Sequence, residues 1–307
     1  MYSSVASCTL VNGELIQLAH GGMAPLTLDR LFERYGSPDA VLSAVLGGRT
    51  KASFRVVDAV RVPADVRMAE LERLGVRFVC ESDRGFPERL ERYSGSPRFL
   101  FLSGHLSMSP AIGIVGTRTC TTYGTDLASG YGAVAADAGW SVVSGLARGI
   151  DGAGQRGSVG VGGHCHAVLG SGVDVVYPRS NRDLYHSILD AGGAVSSEYP
   201  PGTPPEAWRF PTRNRIIGLS DVLLVVEAGL KGGALITARI ALDYGVPVYA
   251  VPGDVDRPAS VGANLLIRDG AFPILGPEDL SQVLQLLEPL YGEHATTNRD
   301  ETRCRRS

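Results

Sequence analysis

From residue 111 onward, short apolar runs alternate with stretches of helical periodicity, and glycine follows most of the runs. The runs Ala111–Val115, Ser141–Ser144, Ala167–Leu169, Ala194–Ser197, Val222–Val226, Val246–Val251 and Ala271–Leu275 predict strands. Helical patterning fills the gaps: about 123–138, after Asp151, from near Asn181, up to Leu219, Ala234–Tyr244, Ala263–Arg268 and Pro277–Tyr291. Strands apolar on both faces, each feeding a glycine turn and then a helix, define an α/β protein whose parallel sheet is covered on both sides. In such sheets ligands sit beyond the carboxyl ends of the strands. That rule gathers Arg118, Ser144, Gly145, Arg148, Asp151, Gly170, Gly172, Arg213, Arg215 and Lys231 at one rim.

Residues 1–75 read as helical. Leu26, Leu28, Leu31 and Phe32 precede Tyr35-Gly-Ser-Pro38, where Gly36 suits a helix stop, Ser37 a cap and Pro38 a first helical position. Val41, Leu42, Val45 and Leu46 then lead to Gly47-Gly48, and a further helix is expected over Val62–Leu74. Two short helices joined by a glycine turn serve as a packing or protein-contact unit, or touch a nucleic-acid backbone through the turn. The run Val76–Cys80 predicts the first strand, Glu88–Tyr93 a short helix and Arg98–Leu102 a second strand. The expected organisation is a helical unit over residues 1–70, an α/β domain over 71–291 and a disordered polar tail over 292–307.

Composition adds constraints. Of 307 residues, 44% are hydrophobic and 20% charged, as in an ordinary globular chain. The net charge of −3 excludes a diffuse polycation, so any anion site must be a local concentration of bases. Residues 113–280 carry 12 Lys/Arg against 16 Asp/Glu, yet five of the 12 (Arg118, Arg148, Arg213, Arg215 and Lys231) fall in post-strand loops or the helix starts after them. The five cysteines are scattered without a CxxC pair, which points to a reduced, cytoplasmic protein without structural zinc. In a strand, His164 and His166 would share one face and leave Cys165 on the other, a poor metal set. There is no secretory signal pattern at the N-terminus and no apolar run of the roughly 20 residues a membrane span needs.

The densest candidate chemistry is Arg209-Phe-Pro-Thr-Arg-Asn-Arg215. Arginine forks suit phosphates, and Phe210 offers a face for an unpaired base. The plainer alternative is a loop whose arginines pair with carboxylates. Gly113-Ile-Val-Gly-Thr-Arg118 is a poor dinucleotide fingerprint, there is no P-loop, and Gly170-Ser-Gly-Val lacks the fifth position of a nucleophile elbow. No cofactor motif is present. Glu227 beside Lys231-Gly-Gly loosely resembles, in reversed order, the glycine-rich glutamate loop of nucleotide-monophosphate phosphoribohydrolases. That keeps a nucleotide-hydrolysing Rossmann-like enzyme as the rival reading.

Several segments taken together carry a more specific resemblance. They are Gly113-Ile-Val-Gly-Thr-Arg118 with Tyr123-Gly124, Ser144-Gly-Leu-Ala-Arg-Gly-Ile-Asp151, Val168-Leu-Gly-Ser-Gly172 with Asp174, Tyr177-Pro178 and Asn181, Ser197-Glu-Tyr-Pro-Pro-Gly202, Phe210-Pro-Thr-Arg-Asn-Arg-Ile-Ile217, Leu235-Ile-Thr-Ala238, Val251-Pro-Gly253 and Gly262-Ala-Asn264. In this order and spacing the chain resembles the DNA-processing protein A (DprA/Smf) family over about residues 76–275. The segment around Tyr35-Gly-Ser-Pro38 is similar, more weakly, to the family's sterile-alpha-motif-like (SAM-like) N-terminal region.

The resemblance implies an extended Rossmann-like, doubly wound, mostly parallel sheet that binds single-stranded DNA without catalysis or cofactor. It also implies a homodimer that protects incoming strands and helps load RecA recombinase in natural transformation. Carried residue by residue, the DNA pocket would comprise Arg118, Ser144, Gly145, Arg148, Phe210, Arg213, Asn214 and Arg215, with Lys231 as a neighbour. Arg118, Arg213 and Arg215 would meet phosphates and Phe210 a base, while Asp151 and Glu227 would orient the arginines. For Arg148 and Arg215 the alternative is burial against Asp151 or Glu227. The chain departs from the family pattern at Ile217-Gly-Leu219, which is one residue short, at Gln155 in place of a histidine, and at Lys231-Gly-Gly-Ala234, where serines flank the glycine in relatives. The winged-helix C-terminal domain of many members has no counterpart in the roughly 30 residues after the Rossmann pattern.

Overall fold

The computed structural model describes residues 13–83, 85–93 and 95–292. The expected disordered tail lies outside these residues except at its first position.

Five helices open the described chain: α1 (Gly13–His20), α2 (Pro25–Tyr35), α3 (Pro38–Leu46), α4 (Phe54–Arg61) and α5 (Ala64–Arg73). The turn between α2 and α3 forms as its chemistry predicts. Gly36 takes φ 86, which only glycine adopts readily, the Ser37 hydroxyl accepts the Ala40 N–H at 3.2 Å, and Pro38 begins α3. Helix α4 is not signalled by the sequence pattern, since its buried side is narrow and Val60 alone is fully covered. The helices pack Ile16, Leu18, Val41 and Leu71 against Phe78, Phe99 and Phe101 of the sheet, so they share one core with its edge.

Nine strands form one sheet: β1 (Arg77–Cys80), β2 (Phe99–Gly104), β3 (Ala111–Val115), β4 (Ser141–Ser144), β5 (Cys165–Val168), β6 (Ala194–Ser197), β7 (Val222–Val225), β8 (Val248–Ala250) and β9 (Phe272–Pro273). The order is β1-β2-β6-β5-β4-β3-β7-β8-β9. Strands β3 to β9 are parallel, while β1 and β2 run antiparallel at one edge. The expected last strand shrinks to two paired residues at the open edge, where Phe272 and Leu275 are largely exposed.

The connecting helices are α6 (Thr122–Asp137), α7 (Ile150–Gly160), α8 (Arg182–Asp190), α9 (Arg209–Gly218), α10 (Gly233–Asp243), α11 (Val261–Arg268) and α12 (Pro277–Gly292). One face of the sheet buries Ile112, Ile114, Val142 and Leu224 under α6, α7, α8 and α12. The other buries Val115, Val143, Leu223 and Val225 under α9 and α10. Because β3 has β4 on one side and β7 on the other, the loops after β3 and β7 diverge, and a crevice opens between them at the carboxyl rim.

Candidate nucleic-acid interface

That crevice is a cavity of about 680 Å³. Its walls come from the loop after β3 (Gly116–Thr119), the loop after β4 (Ala147), the first turn of α7 (Asp151), the start of α9 (Phe210–Asn214) and the loop into α10 (Lys231–Ala234). Among the described lining residues Asp151 is the one acid, against Arg118, Arg213 and Lys231. Helix α10 begins at the wall, so its free N–H groups add positive potential.

The half-buried Phe210 ring stands at the mouth. The Arg118 guanidinium lies 5.2 Å from its centroid, and the exposed Tyr177 ring lies 5.6 Å away at 37°. Three flat groups thus stand together, two aromatic and one cationic, the combination on which unstacked bases are held in single-strand binders. Tyr177 carries no charge and does not belong to the arginine-rich run. The ring contact it makes with Phe210 comes from folding the loop after β5 against α9.

Arg213 is 3% exposed and reaches inward. Its guanidinium donates to the Val168 carbonyl, while its Nε has no partner. Burial lowers its pKa to about 10, opposed by the nearby Asp151 carboxylate. Burial likewise pushes Asp151 up, and Arg213 and the Gly145 N–H, which donates to Asp151 Oδ2 at 3.1 Å, pull it back. Gly145 is required here, since a Cβ would collide with both the Arg213 guanidinium and the Asp151 carboxylate. The next residue, Leu146, holds a left-handed φ of 53. Asn181 secures that strained turn by donating to the Leu146 and Ala147 carbonyls, both at 3.0 Å. Asn181 supports the site, though it lies outside the set carried over from the resemblance.

The remaining expected residues divide. Lys231 is exposed at the wall, and Asn214 lines it while donating to the Gly233 carbonyl at 3.3 Å. Arg148 is exposed beside an adjoining hollow that also touches Arg118 and Gly145, and is not buried against Asp151. Ser144 is fully buried; its hydroxyl donates to the Ile114 carbonyl at 2.6 Å and lies close enough to Asp151 to help hold that carboxyl's pKa down. Arg215 turns away from the cavity. Both its terminal nitrogens meet the two Glu198 oxygens at 2.5 Å, and the two side chains are each 7% exposed. Burial works against the Arg215 charge, and Glu198 more than offsets it, so its pKa rises. The expected carboxylate partners were Asp151 or Glu227; Glu198, held by the Tyr199-Pro-Pro turn after β6, is the one that folding brings up.

Glu227 does not orient the arginines. Its carboxylate accepts the Thr121 N–H at 2.9 Å and the Thr121 hydroxyl at 2.6 Å, at the start of α6. Gly124 is needed beneath it, because a Cβ would strike the carboxylate. An acid on a helix N-terminus is a structural latch between the β7 loop and α6. His164 and His166 meet Ser141 and Ser196 hydroxyls at 2.9 and 2.7 Å, and among the described residues no His/Cys/Asp/Glu group could hold a metal ion. No described helix is long and apolar enough to cross a membrane.

Fold and site together define a doubly wound α/β protein with an aromatic-edged cavity, lined by arginine and lysine, at its switch point. The family model for DNA recombination-mediator protein A matches residues 77–285, and the chain belongs to that family. It is 37% identical over 250 residues to the protein Smf of Escherichia coli, covering 80% of this chain and 67% of that one. The structure of DNA processing protein A from Streptococcus pneumoniae superposes with a TM-score of 0.72 at 27% identity, over 87% of this chain and 95% of that one. DNA processing protein A from Helicobacter pylori, whose structure concerns its single-stranded DNA binding mode, superposes with a TM-score of 0.61 at 25% identity, over 68% of this chain and 96% of that one.

Proposed function

We propose that this chain binds single-stranded DNA at the switch-point cavity and acts there as a recombination mediator without turnover. The observation that carries the reading is the half-exposed Phe210 ring, with the Arg118 guanidinium over it, the Tyr177 ring tilted beside it and Arg213 in the same cavity wall. Arg118, Arg213 and Lys231 take phosphates, Arg148 and Asn214 flank the strand, and Phe210 takes a base. Gly145 supplies clearance. Ser144 and Arg215 act by holding β4 and α9 in place. Such a site reads backbone and stacking faces rather than base edges, so sequence preference is slight.

Family membership and the single-stranded DNA binding mode of the Helicobacter pylori protein support this assignment. In the cell the protein would protect incoming strands during natural transformation and help load RecA, as a cytoplasmic homodimer. The deciding test is fluorescence anisotropy of labelled oligo-dT against duplex of equal length. Wild type should prefer the single strand, and Arg118→Ala/Arg213→Ala should lose that preference. Retained binding by the double variant would move the site elsewhere, and no single-strand binding at low salt would end the reading. Faster RecA nucleation on oligo-dT already coated with single-strand-binding protein would support the loading role, and an unchanged rate would remove it.

A further inference from the structure

The helical unit carries a second basic surface that the cavity does not use. It lies on the turn between α3 and α4 and on the neighbouring end of α2. Arg34, Arg49, Lys51 and Arg55 are all exposed there, and none forms an ion pair with a described residue. Glu33, Asp39 and Asp58, the last on α4 itself, are close in sequence, and none forms an ion pair with these cations. Between Ala40 and Val57 there is no acidic residue.

Two features separate this patch from an ordinary solvated surface. The Arg34 and Arg49 guanidinium groups stand 5.3 and 6.0 Å from the Tyr35 ring centroid, and the Tyr35 hydroxyl donates to the Arg49 carbonyl at 3.1 Å, which fixes the turn. Phe54 is 78% exposed at the first position of α4, immediately before Arg55. An uncovered phenylalanine costs hydration and contributes nothing to the core. Set among unpaired cations, it has the form of a stacking platform on a phosphate track.

The helical unit that bears the patch also touches the carboxyl rim of the sheet. Arg98 Nε meets Asp29 Oδ1 of α2 at 3.1 Å, and Pro25, Leu28 and Asp29 share a small hollow with Glu198, the residue that follows β6. Helix α2 therefore starts at the same carboxyl rim that bears the cavity. Tyr35 stands at its far end, about 15 Å away at 1.5 Å per residue.

We propose that the α3–α4 turn is a second single-stranded DNA contact, engaged by the part of a strand that runs beyond the switch-point cavity. The inference rests on the cavity being a single-strand site, and the test separates the two. Affinity is measured for labelled oligo-dT of about 6 and about 20 nucleotides, within and beyond the reach of one binding module. Wild type and Arg118→Ala are compared with Arg49→Ala/Lys51→Ala/Arg55→Ala and with Phe54→Ala.

For the triple variant the long oligonucleotide should lose about tenfold in affinity at 0.1 M salt, and its logarithmic salt slope should shrink by about 2, which is three phosphates at roughly 0.7 each. Binding of the short one should not change. Phe54→Ala should weaken the long oligonucleotide severalfold while leaving its salt slope in place. An unchanged slope on the long strand in the triple variant would overturn the proposal. So would equal losses on both lengths, or a triple variant that binds every strand as wild type does and loses only an acidic protein partner. Failure of wild type to bind even the short oligonucleotide would instead remove the cavity reading.

Discussion

Arg213 and Arg215 stand two residues apart on one helix, and each has a carboxylate nearby, yet folding gives them opposite tasks. Arg215 is closed off. It forms a two-pronged pair with Glu198, lies outside the cavity and has its charge stabilised. Arg213 is held open. It is as deeply buried, but it forms no two-pronged pair with a carboxylate, it lines the cavity, and burial depresses its pKa. Neighbouring Asp151 is disfavoured as a carboxylate by the same burial. One guanidinium is matched by both oxygens of a carboxylate, while the other lines the cavity wall without such a match. A completed ion pair supports structure, and an incomplete one facing a cavity is available to an anionic ligand.

The sharpest way to break this comparison is Arg215→Ala. It strands the Glu198 carboxylate in a buried position and should cost about 3–5 kcal/mol of stability, read by chemical denaturation. Single-strand affinity of the protein that remains folded should stay near wild type. A parallel loss of affinity under folding conditions would mean that Arg215 contacts DNA after all.

Arg213→Ala should do the reverse. Loss of a charged hydrogen bond to phosphate is worth about 1.5–3 kcal/mol, so oligo-dT affinity should fall by tenfold or more. Stability should fall less than in Arg215→Ala, because Arg213 makes no two-pronged ion pair and its removal strands no carboxylate of that kind. A variant that binds as wild type would remove Arg213 from the interface.

Asp151→Asn is the smallest and most informative change. Its amide oxygen can still accept the Gly145 N–H, while the negative charge facing the strand is gone. Affinity near neutral pH should rise by about 1 kcal/mol, roughly fivefold. The same carboxyl sets a pH dependence. Its folded pKa lies above the unfolded value, so the stability it contributes is present below the unfolded pKa and is lost as pH rises through the folded one. Over that rise the cavity also gains a negative charge, so DNA affinity should fall, and in Asp151→Asn the fall should flatten. An identical pH profile in both proteins would show that Asp151 does not face the bound strand.

The arrangement of strands, glycine turns and helices from residue 111 was legible in sequence, because burial on both faces leaves uninterrupted apolar runs. The Gly36-Ser37-Pro38 junction was legible too, since each residue there has a local geometric reason. Helix α4 was not, because its few buried positions give a weak period. The rule that loops after parallel strands share one end brought Arg118, Asp151, Arg213 and Lys231 to one cavity and Gly145 and Arg148 to the hollow beside it, but not Gly172 or Arg215. Their orientation was not readable: Glu227 looked like a partner for arginine and proved to cap α6, and Glu198 gave no sign of meeting Arg215.

Sequence alone determined the α/β class and the concentration of arginine, with Phe210, at the carboxyl rim of the sheet. These follow from local propensity and from periodicity along the chain. Tertiary structure alone decided which arginine is sealed and which is open, how Tyr177 reaches Phe210, and how α2 joins the rim to the α3–α4 turn. A helix advances about 100° per residue, so positions 213 and 215 point to different surroundings. What waits in each direction is set by strand order and by loops far away in sequence, and no window along the chain contains that information.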